Sequence, residues 1–515
     1  MKRQLINFKL LIAFVSNVQI SRALANNYLE LELNLIDGNY YTTLEIGSNK
    51  DNVKVLIDTG SADLWVPSID NFNCINKEEI NLIILEDSTE INCSIYGIFD
   101  YETSKTLKWN NSDFEMEYID GSNSSGWWAQ DEMYINNESI GYINFGIANE
   151  SSNEFGTLGL GLSKLEETNF LTDNKSYIYE NFPLKLKNNN IIKSSSYSIF
   201  SGNNTYGSLL FGAIDHNKYL NNTLYKFPIV NAYLASGIND IRSISITMNS
   251  VSLIEGEEII KLLNGYFAVI IDSGTQTAVL PYSLVEDLKK LLNLNYEKST
   301  DIWYTKCNLL NERLFSFNFQ GVEYYIPISN FFLKINGDSG ICGLAVKSTL
   351  ISEYLVLGQS FLNNIYMVVD MENYTIGLGI IDETSNDKDI EVIITDGIPN
   401  AKEAPWTQTY DTFHMLHSSL TTFKSKIATS VDYNTVYFKS IRQVGSVDTI
   451  TTSYPSEFSY TVKSSFSASS ISISISSHSV SSLSIGINSN NGLSQFQTTT
   501  IASSILVVFL LLLCV

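Results

Sequence analysis

Ile57-Asp58-Thr59-Gly60-Ser61 and Ile271-Asp272-Ser273-Gly274-Thr275 are two copies of one pattern. Each runs aliphatic residue, Asp, hydroxyl residue, Gly, hydroxyl residue. Each closes an apolar run, Val53-Lys54-Val55-Leu56-Ile57 in the first copy and Phe267-Ala268-Val269-Ile270-Ile271 in the second. Each leads into a similar sequel, Leu64-Trp65-Val66-Pro67 and Ala278-Val279-Leu280-Pro281. An internal repeat at this separation predicts two related lobes. A carboxylate at the end of a buried strand in each lobe predicts one shared site.

The residue types fit that expectation. Gly60 and Gly274 allow a tight turn and a close backbone approach. Thr59 and Ser273 can hydrogen-bond across a pseudo-twofold axis, and Ser61 and Thr275 can orient the outer carboxylate oxygens. Like charges held together cannot both ionise readily, so Asp58 and Asp272 are expected to share one proton. Such a pair can activate a water with one carboxylate while its protonated partner stabilises a developing oxyanion. One Asp-Thr-Gly alone reads as an Asp-initiated turn. The second copy after a second apolar run changes that reading.

The chain has 515 residues, room for two lobes and additional segments. Its hydrophobic fraction of 44% supports large cores, and its net charge of -23 argues against a nucleic-acid partner. The acidic balance suits cationic partners or work in acid, and equally a surface that serves solubility. Met1-Lys2-Arg3, the apolar Leu10 to Phe14 and Ala23-Leu24-Ala25 read as a signal peptide over residues 1–25. An oxidising compartment follows, so the cysteines are expected to pair. Cys514 lies in the apolar tail. Cys74, Cys93, Cys307 and Cys342 allow three connectivities, which sequence does not decide between. Pairing Cys74 with Cys93 and Cys307 with Cys342 lets each lobe fold around its own core. No Cys-x-x-Cys occurs and the chain has four His, so no metal site is implied.

From about Tyr28 to Ile381 the pattern is antiparallel β, as in Tyr40-Tyr41-Thr42-Thr43-Leu44-Glu45-Ile46 and Tyr197-Ser198-Ile199-Phe200-Ser201. The clearest helix signal is Tyr282 to Asn293 after Pro281. These readings give an all-β bilobal chain with few short helices. Its N-terminal lobe spans 26–200 and its C-terminal lobe 201–385. A linker is expected over 386–415 and a Ser/Thr-rich, disordered, O-glycosylated stalk over 416–490. Residues 491–515 read as a removable signal for a GPI lipid, with Asn490 as the attachment residue. The competing reading is a short transmembrane anchor, but the apolar tail falls below the roughly 20 residues of a span. Sequons at Asn110, Asn137, Asn203 and Asn373 fit a secreted surface glycoprotein.

Taken together, these motifs resemble the pepsin-like aspartic proteases. Asp58-Thr59-Gly60-Ser61-Ala62-Asp63-Leu64-Trp65-Val66-Pro67-Ser68 is similar to the family's first active-site segment. Tyr118-Ile119-Asp120-Gly121-Ser122 resembles its flap, which implies that Tyr118 is the flap tyrosine and Trp65 its hydrogen-bond partner. Gly156 to Gly161 and Leu355 to Leu362 resemble the hydrophobic-Gly elements beneath the two Asp loops, and Asp370 to Gly379 the closing hairpin. The resemblance covers about residues 30 to 381. It implies the bilobal pepsin-like fold and a water-mediated peptide hydrolase without cofactor or metal, acting as a monomer. By themselves, Trp65 could be plain core, Tyr118 an ordinary strand tyrosine and Asp120 a turn residue.

Within the family, the signal peptide, acidic body, stalk and anchor signal look most like fungal yapsins, candidapepsins and barrierpepsins. Glu78, Glu79, Glu86, Asp87 and Glu90 resemble the acidic loop insertion of yapsins, which cut beside Lys or Arg. A carboxylate at Asp120 in the flap gives a physical reason for a basic preference. No Lys-Arg pair lies between Ala25 and Asp58, so activation by removal of a propeptide is not expected. The leading expectation is a GPI-anchored endopeptidase at the cell surface or cell wall. Its substrates are polypeptides, preferentially with basic residues. The alternatives are a barrier-type enzyme degrading an extracellular peptide signal, and an inactive surface binding protein.

Overall fold

In a computed structural model the described residues are 27–411, apart from 37, 73, 75–92, 119, 172–175, 203–205, 336–339, 350–354 and 395, plus short strands between 423 and 487. The expected signal peptide, the acidic run between Cys74 and Cys93, and the anchor signal with Asn490 lie outside them. Among the described residues no helix is long and apolar enough to cross a membrane.

The pepsin-like bilobal β architecture is present. One sheet of 14 strands runs from the flap hairpin at one edge to strand Tyr225–Pro228 and the short Lys402–Glu403 at the other. A second sheet, of 9 strands, carries the C-terminal repeat. The repeat in sequence is a repeat in topology. Strand Asp51–Asp58 pairs in parallel with Gly156–Gly159, setting Ile57 beside Leu158. Strand Glu258–Ile271 pairs in parallel with Leu355–Leu357, setting Ile271 beside Leu357. The returning strands Leu64–Pro67 and Ala278–Pro281 then pair antiparallel with those same partners. Ile57, Leu158, Ile271 and Leu357 are all buried, because each strand is covered on both faces. This is why both runs before the Asp residues are almost wholly apolar.

The helix expected after Pro281 spans Tyr282–Leu291 and buries Leu284, Val285 and Leu288. Cys74 bonds Cys93 and Cys307 bonds Cys342, so the local pairing holds.

Beyond residue 381 the structure differs from expectation. Residues 386–411, read as a linker, are packed onto the body. Ile390–Val392 pairs with Ala213–Asp215, and Lys402–Glu403 with Tyr225–Lys226. Trp406 N–H donates to Gln320 at 2.9 Å and Tyr410 N–H to the Thr247 hydroxyl at 2.8 Å. Ile393, Ile398 and Tyr410 are buried. Three apolar anchors spaced along a mostly polar stretch give no period, so the packing left no pattern to read. The Ser/Thr-rich segment also differs where it is described: Glu457–Lys463, Ser470–Ser476 and Gly486–Ile487 pair as strands. The strict Ser-Ile alternation of Ser470–Ser476 is the period-two signal behind them.

Candidate active site

The ends of the two buried strands meet. Thr59 N–H donates to the Ser273 hydroxyl at 3.1 Å, and Ser273 N–H donates to the Thr59 hydroxyl at 2.9 Å. Each hydroxyl donates onward across the axis, Thr59 to Ile271 O and Ser273 to Ile57 O, both at 2.7 Å. All four residues are buried, so every donor and acceptor in this exchange is satisfied without water.

The exchange fixes the two carboxyls. Gly60 N–H donates to Asp58 Oδ1 and Gly274 N–H to Asp272 Oδ1, each at 2.8 Å. The Ser61 hydroxyl donates to Asp58 Oδ2, and the Thr275 hydroxyl to Asp272 Oδ2 at 2.7 Å. The Asp58 and Asp272 carboxyls are neighbours, each set against the glycine of the opposite loop. The glycines are required by space. A Cβ at Gly60 would lie 2.7 Å from the Asp272 carboxyl carbon, and one at Gly274 would lie 2.5 Å from Asp58 Oδ1.

Burial, then the neighbouring Asp272 carboxylate, raises Asp58 well above the ordinary carboxyl range. The donors from Ser61 and Gly60 oppose this without cancelling it. Asp58 therefore holds a proton where an isolated carboxyl has lost its own.

Over this pair lies the hairpin of Lys108–Glu117 and Asn123–Ile135. Its tip closes with Tyr118 N–H donating to Ser122 O at 2.8 Å, and Gly121 takes a φ of 87° at the turn. Trp65 Nε1–H donates to the Tyr118 hydroxyl at 2.7 Å, which ties the flap to the first active-site segment. Asp120 is exposed at the tip. Burial would raise its carboxyl, but the Ser122 hydroxyl, the Ser122 N–H and Lys347 outweigh it and hold Asp120 below its ordinary value. The Ser122 donors reach Asp120 Oδ1 at 2.7 and 2.9 Å.

The model of the eukaryotic aspartyl protease family matches residues 39–381. The chain belongs to that family. It is 36% identical to aspartic proteinase yapsin-3 of Saccharomyces cerevisiae, over 71% of this chain and 70% of the relative. It is 31% identical to secreted aspartic protease 10 of Candida albicans, over 69% of this chain and 74% of the relative. Similarity to barrierpepsin of Saccharomyces cerevisiae is 29% identity, over 78% and 71%. This aspartyl protease is therefore a hydrolase that cleaves within polypeptides.

Sequence reading missed some residues that support the site. Gln359 Nε2–H donates to Ser273 O at 2.8 Å from within the Leu355 to Leu362 element. Leu160 N–H donates to Asp58 O at 2.7 Å. Both sit in the hydrophobic-Gly elements, whose apolar-Gly pattern carries no sign of these bonds. Lys347, which bears on the flap from the second lobe, carries no signal at its own position. Among the described residues no cluster of three or more His, Cys, Asp or Glu is placed to hold a metal ion.

Proposed function

We propose that Asp58 and Asp272 are the catalytic pair of this endopeptidase. The observation that carries the assignment is that each carboxyl faces the glycine of the other loop, with matched Gly and hydroxyl donors on each outer side. In this reading the ionised member takes a proton from water as its oxygen attacks the scissile carbonyl carbon. The protonated member donates to the carbonyl oxygen as it gains charge. A proton then passes to the amide nitrogen, the C–N bond breaks, and the pair returns to its singly protonated state. Thr59, Gly60, Ser61, Ser273, Gly274 and Thr275 hold the geometry. Tyr118, Gly121 and Trp65 shape the closing flap.

The enzyme's preference falls on Lys or Arg beside the cleaved bond. Asp120 supports this, since its carboxylate stays ionised in acid at the flap tip. Lys347 tempers it by partly offsetting that charge. The enzyme acts outside the cell as a monomer, held by a GPI lipid at Asn490 on the membrane or wall, a placement supported by the tail sequence. A soluble barrier-type role is the second reading, supported by the similarity to barrierpepsin.

The test is cleavage of a mixed peptide library at several acidic pH values, with and without pepstatin. Pepstatin-sensitive cuts beside Lys or Arg support the whole reading. Sensitive cuts only between apolar residues discard the basic preference. No cuts from folded protein overturn the catalytic assignment. Release of the protein from cells by phospholipase separates the anchored reading from the barrier-type one.

A further inference from the structure

The strand that ends at Asp272 has two apolar faces. Val269 and Ile271 belong to the large core. Ala268 and Ile270 alternate with them and so lie on the opposite face, in a separate buried cluster with Val230, Ala232 and Val356. Val356 is the register neighbour of Ile270 and also of Val279 on the returning strand. The cluster is closed by Tyr410, 4% exposed, from the stretch read as a linker.

The body is shaped to receive that stretch. Lys402–Glu403 pairs with Tyr225–Lys226, and Lys402 N–H donates to Leu224 O at 2.8 Å. Trp406 and Gln320 exchange bonds. Trp406 N–H donates to Gln320 O at 2.9 Å, and Gln320 Nε2–H donates to Trp406 O at 3.0 Å. Gly321 makes room for the indole, since a Cβ there would lie 3.0 Å from Trp406 Nε1, and its φ of 91° favours glycine as well. The Tyr266 hydroxyl donates to the Gln408 side chain. Tyr410 N–H donates to the Thr247 hydroxyl at 2.8 Å, and Thr247 is the register partner of Ala268. Tyr410 is thus bonded to the strand beside the Asp272 strand, while its side chain packs in the cluster on the Asp272 strand itself.

The first lobe covers the same face from within. Leu56 stands before Ile57 as Ile270 stands before Ile271. Leu56 is buried with Tyr41 and Tyr96, whose rings are 5.3 Å apart, and both belong to that lobe. The second lobe draws its tyrosine from beyond residue 381, where the family match ends. Asp272 N–H donates to Leu357 O at 3.0 Å, next to Val356. A shift of the paired Ile270 and Val356 therefore moves the backbone that carries the carboxyl.

We propose that Tyr410 is a positioning residue for Asp272, and that the 402–410 segment is a working part of the catalytic body. The proposal rests on the reading of Asp58 and Asp272 as the catalytic pair. The tyrosine fills the outer cluster and holds the Asp272 strand against relaxing into the space on that face. Taking the ring away leaves a cavity that the surrounding strands close only in part. Displacing a catalytic group by about 1 Å costs on the order of a hundredfold in rate, so a partial relaxation is felt in turnover. Peptide binding along the cleft depends less on the placement of one carboxyl, so the loss falls on kcat rather than on KM.

Tyr410→Ala and Tyr410→Phe are made in the full chain and assayed well below their unfolding midpoints, with rates referred to the folded fraction. Tyr410→Ala should lower kcat about tenfold or more, with KM changed less than about twofold. Tyr410→Phe, which keeps the ring, should recover most of the loss. Ile393→Ala is the comparison, because Ile393 is buried in the same tail but in a cluster apart from the Asp272 strand. It should lower the midpoint and leave kcat in place. A lowered midpoint with unchanged kcat in Tyr410→Ala overturns the proposal, and so does an equal fall of kcat in Ile393→Ala. Should Tyr410→Ala not fold, Tyr410→Leu decides, with a fall in kcat of about threefold or more expected and an unchanged kcat overturning the proposal. Hydrogen exchange reads the positioning without activity. In the folded variant the amides of Ile270 to Asp272 should exchange about tenfold faster or more, and those of Leu56 to Asp58 at the parental rate. The same change at both strands, or none at either, overturns the proposal. Activity surviving in Asp272→Asn would instead sink the catalytic reading, and the exchange result would still stand on its own.

Discussion

Thr59 and Ser273 hold each other, each backbone N–H donating to the other's hydroxyl, at 3.1 and 2.9 Å. They are 214 residues apart, and their bond network is what makes one site of two lobes. Thr59→Ala leaves the Ser273 N–H and Ile271 O without their partner in a dry interface. A loss of about 1–3 kcal/mol is expected by urea unfolding, with Thr59→Ser recovering most of it. Equal stability of the two variants would show that the hydroxyl is not needed.

Asp58→Asn and Asp272→Asn are expected to fold and be secreted while hydrolysis falls by about 1,000-fold or more, since each removes one half of the acid–base pair. Turnover of a single fluorogenic peptide at acid pH measures this. Near-parental turnover in either variant would refute the assignment.

Tyr118→Phe keeps the ring in its aromatic cluster but removes the acceptor for Trp65 Nε1–H, now 2.7 Å away. One hydrogen bond of about 1 kcal/mol corresponds to roughly a fivefold fall in kcat/KM. Trp65→Phe should give the same fall and add little to Tyr118→Phe, because both remove one bond. Additive losses would mean that the two residues act separately.

Asp120→Asn removes the flap-tip charge and leaves the Tyr118–Ser122 turn bond in place. The ratio of kcat/KM for a Lys or Arg peptide over its apolar counterpart should fall about fivefold, as for an exposed ion pair. The effect should shrink in high salt. An unchanged ratio would discard Asp120 as the source of basic preference.

A chain ending at residue 411 is expected to be more stable than one ending at 381. The difference should be about 3 kcal/mol or more, because Ile393, Ile398 and Tyr410 are buried against the body. Thermal unfolding of the two truncated proteins checks it. Equal midpoints would return 386–411 to the status of a linker.

Much of the site was legible because its parts are local. Asp, hydroxyl residue and Gly are consecutive, and the apolar run before each Asp reports a strand buried on both faces. The helix Tyr282–Leu291 was legible from its period and from Pro281. The tethering of 386–411 was not, since isolated anchors such as Tyr410 have no period. Nor was the Ser-Ile strand of Ser470–Ser476, whose composition outweighed its alternation in the reading.

The sequence by itself determined that two equivalent carboxylates end two buried strands, and with that the family and the class of reaction. Tertiary structure alone decided what surrounds them. Only the folded chain shows that Gly60 faces Asp272 and Gly274 faces Asp58, and that Lys347 of one lobe bears on Asp120 of the other. Only it shows that Tyr179 bonds both Asp63 and Glu166, two buried carboxyls far apart in the chain. The reason is physical. Hydrophobic period and turn chemistry act between near neighbours, so sequence carries them. Desolvation and charge proximity depend on distances in space between residues far apart in the chain, and those exist only once it has folded.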